Sequence, residues 1–351
     1  MGRFSASTPV FDREKPGSID CTLLTMGSVQ DWLRNVFING EGELRCGWRV
    51  AAFVACLYVT TLLIGGTVYL AGMLLPSVRN AIQPPVALEQ PDHALFRFGV
   101  ESAVSLCSAV VATYLCAVFL EHRTLASVGF KRHSGWLRLF LFGSLLGAVT
   151  LALTVAAEAA FGSASFTSQH HSGDQLVWAF AGMLIVFAMA AAFEELVFRG
   201  FAFQALVHNI GPVAAIFITS VFFGFAHLGN PNPTLISTVN TIVAGIWLSV
   251  AYLVTRSLWF STALHYSWNL AMVYIFGLPV SGISTFDTLG VLAGRDRPPV
   301  LISGGDYGPE GGIAATLVLI VSTLLIWKSG WFTLSDDMAQ AIKHGKPEPR
   351  Y

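Results

Sequence analysis

Residues 179–199 read AFAGMLIVFAMAAAFEELVFR. No charge falls between Ala179 and Phe193, and two adjacent acids and an arginine then close the stretch. The apolar segment that it overlaps, 176–198, has the ~20 residues an α-helix needs to cross a bilayer core. Seven more segments of this kind follow from the sequence, at 49–75, 98–120, 136–161, 212–228, 234–254, 258–276 and 313–332. Helices are the expected form, because each spanning backbone amide must find its partner within its own segment and the alternation of a barrel is absent. The expected fold is therefore an all-α integral membrane protein, a bundle of about eight transmembrane helices.

Composition points the same way. Of 351 residues, 54% are apolar and 12% charged, against roughly 25% charged in soluble proteins. A surface of 20 basic and 21 acidic side chains cannot cover so large a core in water, and the mean hydropathy is +0.62, so a soluble fold is excluded. A net charge of -1 provides no basic field for nucleic acid. The cysteines are odd in number, and Cys56, Cys107 and Cys116 lie inside apolar runs; they read as small core hydrophobes, not a disulfide framework.

Lys and Arg should collect on alternate connections. Arg45, Arg49, Arg123, Lys131, Arg132, Arg138, Arg199, Arg256, Lys328, Lys343, Lys346 and Arg350 fall on one side, and Arg79, Arg97, Arg295 and Arg297 on the other. Both termini are then expected in the cytoplasm. Residues 1–47 read as a retained cytoplasmic tail, 48–332 as the transmembrane domain and 333–351 as a second cytoplasmic tail. Within the first tail Val29, Trp32, Leu33, Val36 and Phe37 recur at helical spacing, as a short interfacial helix would, with an irregular tail as the alternative. The Gly- and Pro-rich connection 277–312 either covers one end of the bundle or is a solvated linker.

Ionisable groups inside spans cost a few kcal/mol each and ask for a reason. Glu194 and Glu195 follow the uncharged run AFAGMLIVFAMAAAF, with Arg199 four residues beyond Glu195; His227 ends VFFGFAH, and His265 and Asn269 sit in ALHYSWN. Glu195 and Arg199, at i and i+4, can pair, which leaves Glu194 turned away without a partner on its own helix. Phe223 shares a face with His227, and His265 with Asn269. If the fourth and fifth spans turn at Gly211–Pro212, Glu194 and His227 both lie roughly 25 Å from that turn. Counted from Arg256, His265 and Asn269 come out at roughly 14 and 20 Å, a turn or two lower.

A carboxylate and an imidazole at one height can polarise a water, and a second imidazole and an amide opposite can hold the oxyanion formed when it attacks a carbonyl. That describes peptide hydrolysis inside a membrane. Glu194, His227 and His265 are also side chains that zinc accepts, although Asn is a poor ligand and no HExxH occurs. No cofactor is required on the preferred reading. Glu101 and Glu158 have no comparable company and read as structural or cavity-facing. His170, His171 and Asp174 read as a solvated loop, with a surface metal site as the alternative.

EELVFR at 194–199, FGFAH at 223–227 and HYSWN at 265–269 resemble, in order and spacing, the EExxxR, FxxxH and HxxxN motifs of the CPBP family of CAAX proteases and bacteriocin-processing enzymes. GFAFQAL, HLGNPNP, TRSLWFSTALH, FGLPVSG and YGPEGG add to the likeness, which is strongest over 190–282, and NGEGELRCGWR resembles bacterial members. The resemblance implies an intramembrane endopeptidase of a bacterial cytoplasmic membrane, acting on a membrane-associated protein or peptide among lipids. It implies that Glu194 activates water with His227, that His265 and Asn269 form the oxyanion hole, and that Glu195 and Arg199 hold the helix. The alternatives are a zinc-dependent version of the same hydrolysis, or a transporter or scaffold that uses the polar cluster for binding.

Overall fold

A computed structural model of the chain describes residues 34–40, 42–75 and 91–331. The chain divides into two units, 1–45 and 46–351. In the first, Ile38 bridges Leu44 and Arg45 Nε donates to the Asn35 carbonyl. Val29, Trp32 and Leu33 of the expected interfacial helix lie outside the described residues, as do Arg79, Lys343, Lys346 and Arg350.

The second unit is a helical bundle: α1 Cys46–Leu74, α2 Pro91–Glu121, α3 Trp136–Ala160, α4 Gly173–Arg199, α5 Phe201–Ile210, α6 Pro212–Ala226, α7 Leu235–Thr255, α8 Leu258–Leu270 and α9 Ile313–Lys328. Among the described residues, six helical stretches are long and apolar enough to cross a membrane: α1, α2, α3, α4 with α5, α6 with its following turn, and α7. Helix α8 continues as one π-helical stretch, Ala271–Ile275, and α9 is a shorter apolar helix.

Local sequence explains the helix boundaries. Ser172 and Gln175 cap α4 reciprocally, and Thr234 and Ser237 do the same for α7, satisfying amides that a helix start leaves open. Pro212 opens α6, where its missing N–H costs nothing. Helix α4 ends at Gly200, where a Cβ would stand 2.1 Å from the Leu196 carbonyl oxygen; the chain changes direction there, and α5 is a separate helix rather than a continuation.

Apolar side chains face outward along α1, among them Tyr58, Leu62, Leu63 and Leu70, as expected of a lipid-facing helix. Helix α7 is central and buries Asn240, Gly245, Trp247, Leu248 and Ser249. The closest pairing is α3 against α8. Gly143 and Gly147 form a GxxxG pair, and a Cβ on Gly147 would stand 2.3 Å from both the Leu264 carbonyl and Ser267 Oγ. Small residues at this spacing let two membrane helices approach until their backbones touch.

Several residues read from sequence as loop charges are built into the bundle. Arg49 is buried and pairs with Glu121 at 3.1 Å. Arg123 bonds Glu121 at 3.2 Å and Gln204 at 2.9 Å. Arg199, placed on the cytoplasmic side by its charge, is 0% exposed and belongs to no loop. Glu101 is exposed and pairs with Arg97 on its own helix.

The 277–312 connection is not a free linker. Its strand β2 (Leu292–Asp296) pairs antiparallel with β1 (Ala164–Ser168), and His171 Nε2 lies 3.1 Å from the Thr288 carbonyl. Cys46, Cys56, Cys107 and Cys116 are free.

Candidate active site

A cavity of about 430 Å³ lies between α4, α6, α7 and α8, and Glu194, Phe223, His227, His265 and Asn269 all line it. Three helices thus deliver the polar groups that the sequence singled out. The remaining wall is largely apolar, with Phe98, Phe187, Trp247 and Trp268 among its aromatic residues.

His227 is the C-cap of α6, and its Nδ1 lies 2.8 Å from the Phe223 carbonyl, one of the acceptors a helix end leaves open. A carbonyl can only accept, so Nδ1 carries the hydrogen and the Nε2 lone pair of the neutral ring faces the cavity. His265 is held in the same way by a different acceptor. Its Nδ1 donates to Glu195 Oε1 at 3.0 Å, and its Nε2 faces inward.

Both inward nitrogens point at one atom. Glu194 Oε2 lies 3.9 Å from His227 Nε2 and 3.7 Å from His265 Nε2, too far for direct hydrogen bonds, and it is shielded without any hydrogen-bond partner. Asn269, half-buried one turn beyond His265, lines the same cavity.

Glu195 points away from the cavity into the bundle. Its Oε1 accepts from Arg199 at 3.0 Å as well as from His265. Arg199 also donates to the Gly245 carbonyl at 2.9 Å and to Ser249 Oγ at 3.4 Å, and its guanidinium lies 4.8 Å from the centre of the Phe223 ring. One buried ion pair therefore connects α4 to α7, to α8 through His265, and to the ring preceding His227 on α6. Sequence spacing gave the pair but not its hold on His265.

The height difference counted from Arg256 is absent, because the two turns are not equivalent. The Arg256 turn is covered: Leu258 N donates to the Gly129 carbonyl at 3.0 Å, His133 Nε2 lies 3.4 Å from Ser257 Oγ, and Thr255, Ser257 and Leu258 are buried. The Gly211 turn follows α5, which leaves the α4 axis at Gly200, so counting straight through that glycine overestimates the depth of Glu194.

Sequence reading offered the 277–312 connection as a cover for one end of the bundle, but not the contacts by which it roofs the cavity. Ser281 donates to Glu310 Oε2 through its backbone N–H at 2.8 Å and its hydroxyl at 2.6 Å. Trp268 Nε1 donates to Glu310 Oε1 at 3.0 Å, and Asn240 Nδ2 donates to the carbonyls of Glu310 and Gly312 at 2.8 Å each. The connection 277–312 is thereby tied to the helix that carries His265 and Asn269. Burial pushes the Tyr307 phenol in this roof up to about 12. The Gly-rich run 304–312 was the available signal, but nothing in its spacing identified its partners.

Residues 176–271, which contain all three motifs, match the family model described as Type II CAAX prenyl endopeptidase Rce1-like. That stretch carries the chain's similarity to the CAAX protease family. That is a family of peptidases, which makes this an integral membrane hydrolase with a membrane-associated peptide substrate and takes the place of the transporter or scaffold reading. None of the curated proteins compared matches the chain.

Proposed function

We propose that the chain is an intramembrane endopeptidase in which Glu194 and His227 activate a water, and His265 and Asn269 receive the oxyanion. The observation that carries this reading is the convergence of two ring nitrogens on the unpartnered Oε2 of Glu194. A gap of 3.9 Å between Glu194 and His227 has room for one bridging water. As that water attacks the scissile carbonyl, Glu194 takes its proton and later delivers it to the departing amine, leaving a carboxylate and an amine as products.

For His265 to donate to the oxyanion, its Nε2 must carry a proton while Nδ1 donates to Glu195, so it works as an imidazolium. That state balances the site, with two carboxylates set against Arg199 and His265. Asn269 adds a neutral donor one turn away, and each such donor is worth roughly 10²–10³ in turnover. The arrangement of basic residues supports eight spans with both termini in the cytoplasm, and the bacterial-looking tail supports a bacterial cytoplasmic membrane.

A zinc-dependent hydrolysis is the second reading, favoured by the same two lone pairs. Glu194, His227 and His265 would hold the ion, which would acidify a bound water. Among the described residues, no group of three His, Cys, Asp or Glu side chains stands in a metal-holding arrangement.

The test uses the full chain in liposomes with a membrane-anchored reporter peptide. Wild type should cleave it, Glu194→Gln should lose at least ~10²-fold in rate while keeping its melting temperature, and chelator treatment should leave the rate unchanged. Unchanged processing by Glu194→Gln overturns the assignment, whereas loss on chelation restored by zinc selects the second reading.

A further inference from the structure

A second polar pocket lies away from the reaction cavity, at the end of α3 beneath the β1–β2 ribbon. It measures about 140 Å³, and four acids line it: Glu158, Asp287, Asp296 and Asp306. No lysine, arginine or histidine is among its lining residues. The acids come from separate parts of the chain. Glu158 is in the last turn of α3, Asp287 begins a short turn, Asp296 ends β2 and Asp306 sits in the Gly-rich run.

Their exposure is graded. Asp296 and Asp306 are exposed at the rim and Asp287 is half-buried, with burial raising the Asp287 carboxyl above the usual carboxylate range. Glu158, at the floor, is only 1% exposed, and its Oε1 has no hydrogen-bond partner. A buried carboxyl oxygen with nothing to bond is costly unless a ligand meets it. The Ser303 hydroxyl, already donating to Asp296 Oδ1, adds a further oxygen to the wall.

We propose that this pocket binds a divalent hard cation, calcium before magnesium, with Glu158 as its floor ligand. Every polar side chain in the lining offers oxygen, and the pocket has room for an ion with its bound waters. Calcium tolerates six to eight oxygens in irregular geometry, whereas magnesium demands a near-ideal octahedron. No three acids stand ready-made around a point, so the exposed carboxylates of Asp296 and Asp306 turn inward on binding. That requirement sets a weak affinity, of the order of 10⁻⁴–10⁻³ M seen in extracellular calcium modules.

The bound ion would join four segments, three of which belong to the connection that places Ser281 and Glu310 over the reaction cavity. It would therefore hold the roof from outside. It takes no part in the hydrolysis and does not depend on that assignment.

The experiment is equilibrium dialysis of the detergent-solubilised full chain against radiolabelled calcium, with melting temperature recorded at each concentration. Wild type should bind one ion with half-saturation at about 0.1–1 mM and melt at higher temperature as the site fills, with magnesium at least tenfold weaker. Glu158→Gln should bind at least tenfold more weakly and lose the calcium-dependent rise, and Asp306→Asn, which alters only an exposed rim residue, should weaken binding by a smaller factor. Absence of saturable binding by wild type overturns the proposal, as does undiminished binding by either variant. A melting temperature that rises only with acidity, identically with and without calcium, would show a proton to be the ligand and also overturns it.

Discussion

Replacing Arg199 by methionine tests the buried ion pair on which the site's geometry rests. Methionine roughly matches the arginine stem, so the change removes the charge and its hydrogen bonds while leaving little void. Glu195, 0% exposed, then keeps a charge 3.0 Å from an atom that no longer exists. At an effective dielectric of about 20, that attraction is about 5 kcal/mol, and removing one partner of a buried pair typically costs ~3–5 kcal/mol. Arg199→Met should therefore lose about 3–5 kcal/mol of stability. The double change Glu195→Gln with Arg199→Met removes both charges, and the introduced amide oxygen can still accept from His265 Nδ1. It should recover most of the loss, to within ~1–2 kcal/mol of wild type. Equilibrium unfolding in mixed micelles, over the four corners of this cycle, measures both. A single variant that costs under ~1 kcal/mol, or a double variant no better than the single, would refute the idea that charge compensation holds these helices.

Other perturbations separate packing from chemistry. Gly147→Ala should cost at least ~1–3 kcal/mol, because its Cβ meets the Leu264 carbonyl at 2.3 Å; Gly66→Ala, which meets nothing within 4 Å, is the control and should be neutral or better in the same unfolding assay. Asn269→Ala should lower kcat by roughly 10²–10³ with little change in melting temperature, and an unchanged kcat would remove it from the oxyanion hole. Glu310→Gln should reduce turnover less than Asn269→Ala does, since it loosens Trp268 rather than removing a donor; a reporter assay giving the reverse order would contradict its place in the roof.

The fold was legible wherever one physical constraint dominates. Hydrocarbon forces long uncharged helices, so residues 179–193 announce a span. The same constraint makes every interior charge conspicuous, which is why Glu194, Glu195, His227 and His265 stood out. What escaped was long-range. Gly200 looks like any glycine in an apolar run, and only its non-helical backbone, which a Cβ would bring against the Leu196 carbonyl, shows that the helix breaks there and that glycine permits it. The GxxxG pair at Gly143 and Gly147 drew no notice in the sequence, because its spacing does not name the helix it packs against. The roof depended on Ser281 and Trp268 meeting Glu310 across distant segments, a pairing that local periodicity does not encode. Charge counting took Arg49 and Arg199 as charges of the connections, and it carries no sign that both are paired inside the bundle.

The central claim is that a water held by Glu194, rather than the carboxylate itself, attacks the peptide carbonyl. A single-turnover cleavage in ¹⁸O-water, with enzyme in excess over a membrane-anchored peptide, tests this directly. The new C-terminal carboxylate should carry one solvent oxygen in that first turnover, and Glu194 should remain unlabelled. A product whose added oxygen is ¹⁶O, with label recovered in the Glu194 side chain, would mean that the carboxylate was the nucleophile and would contradict the account.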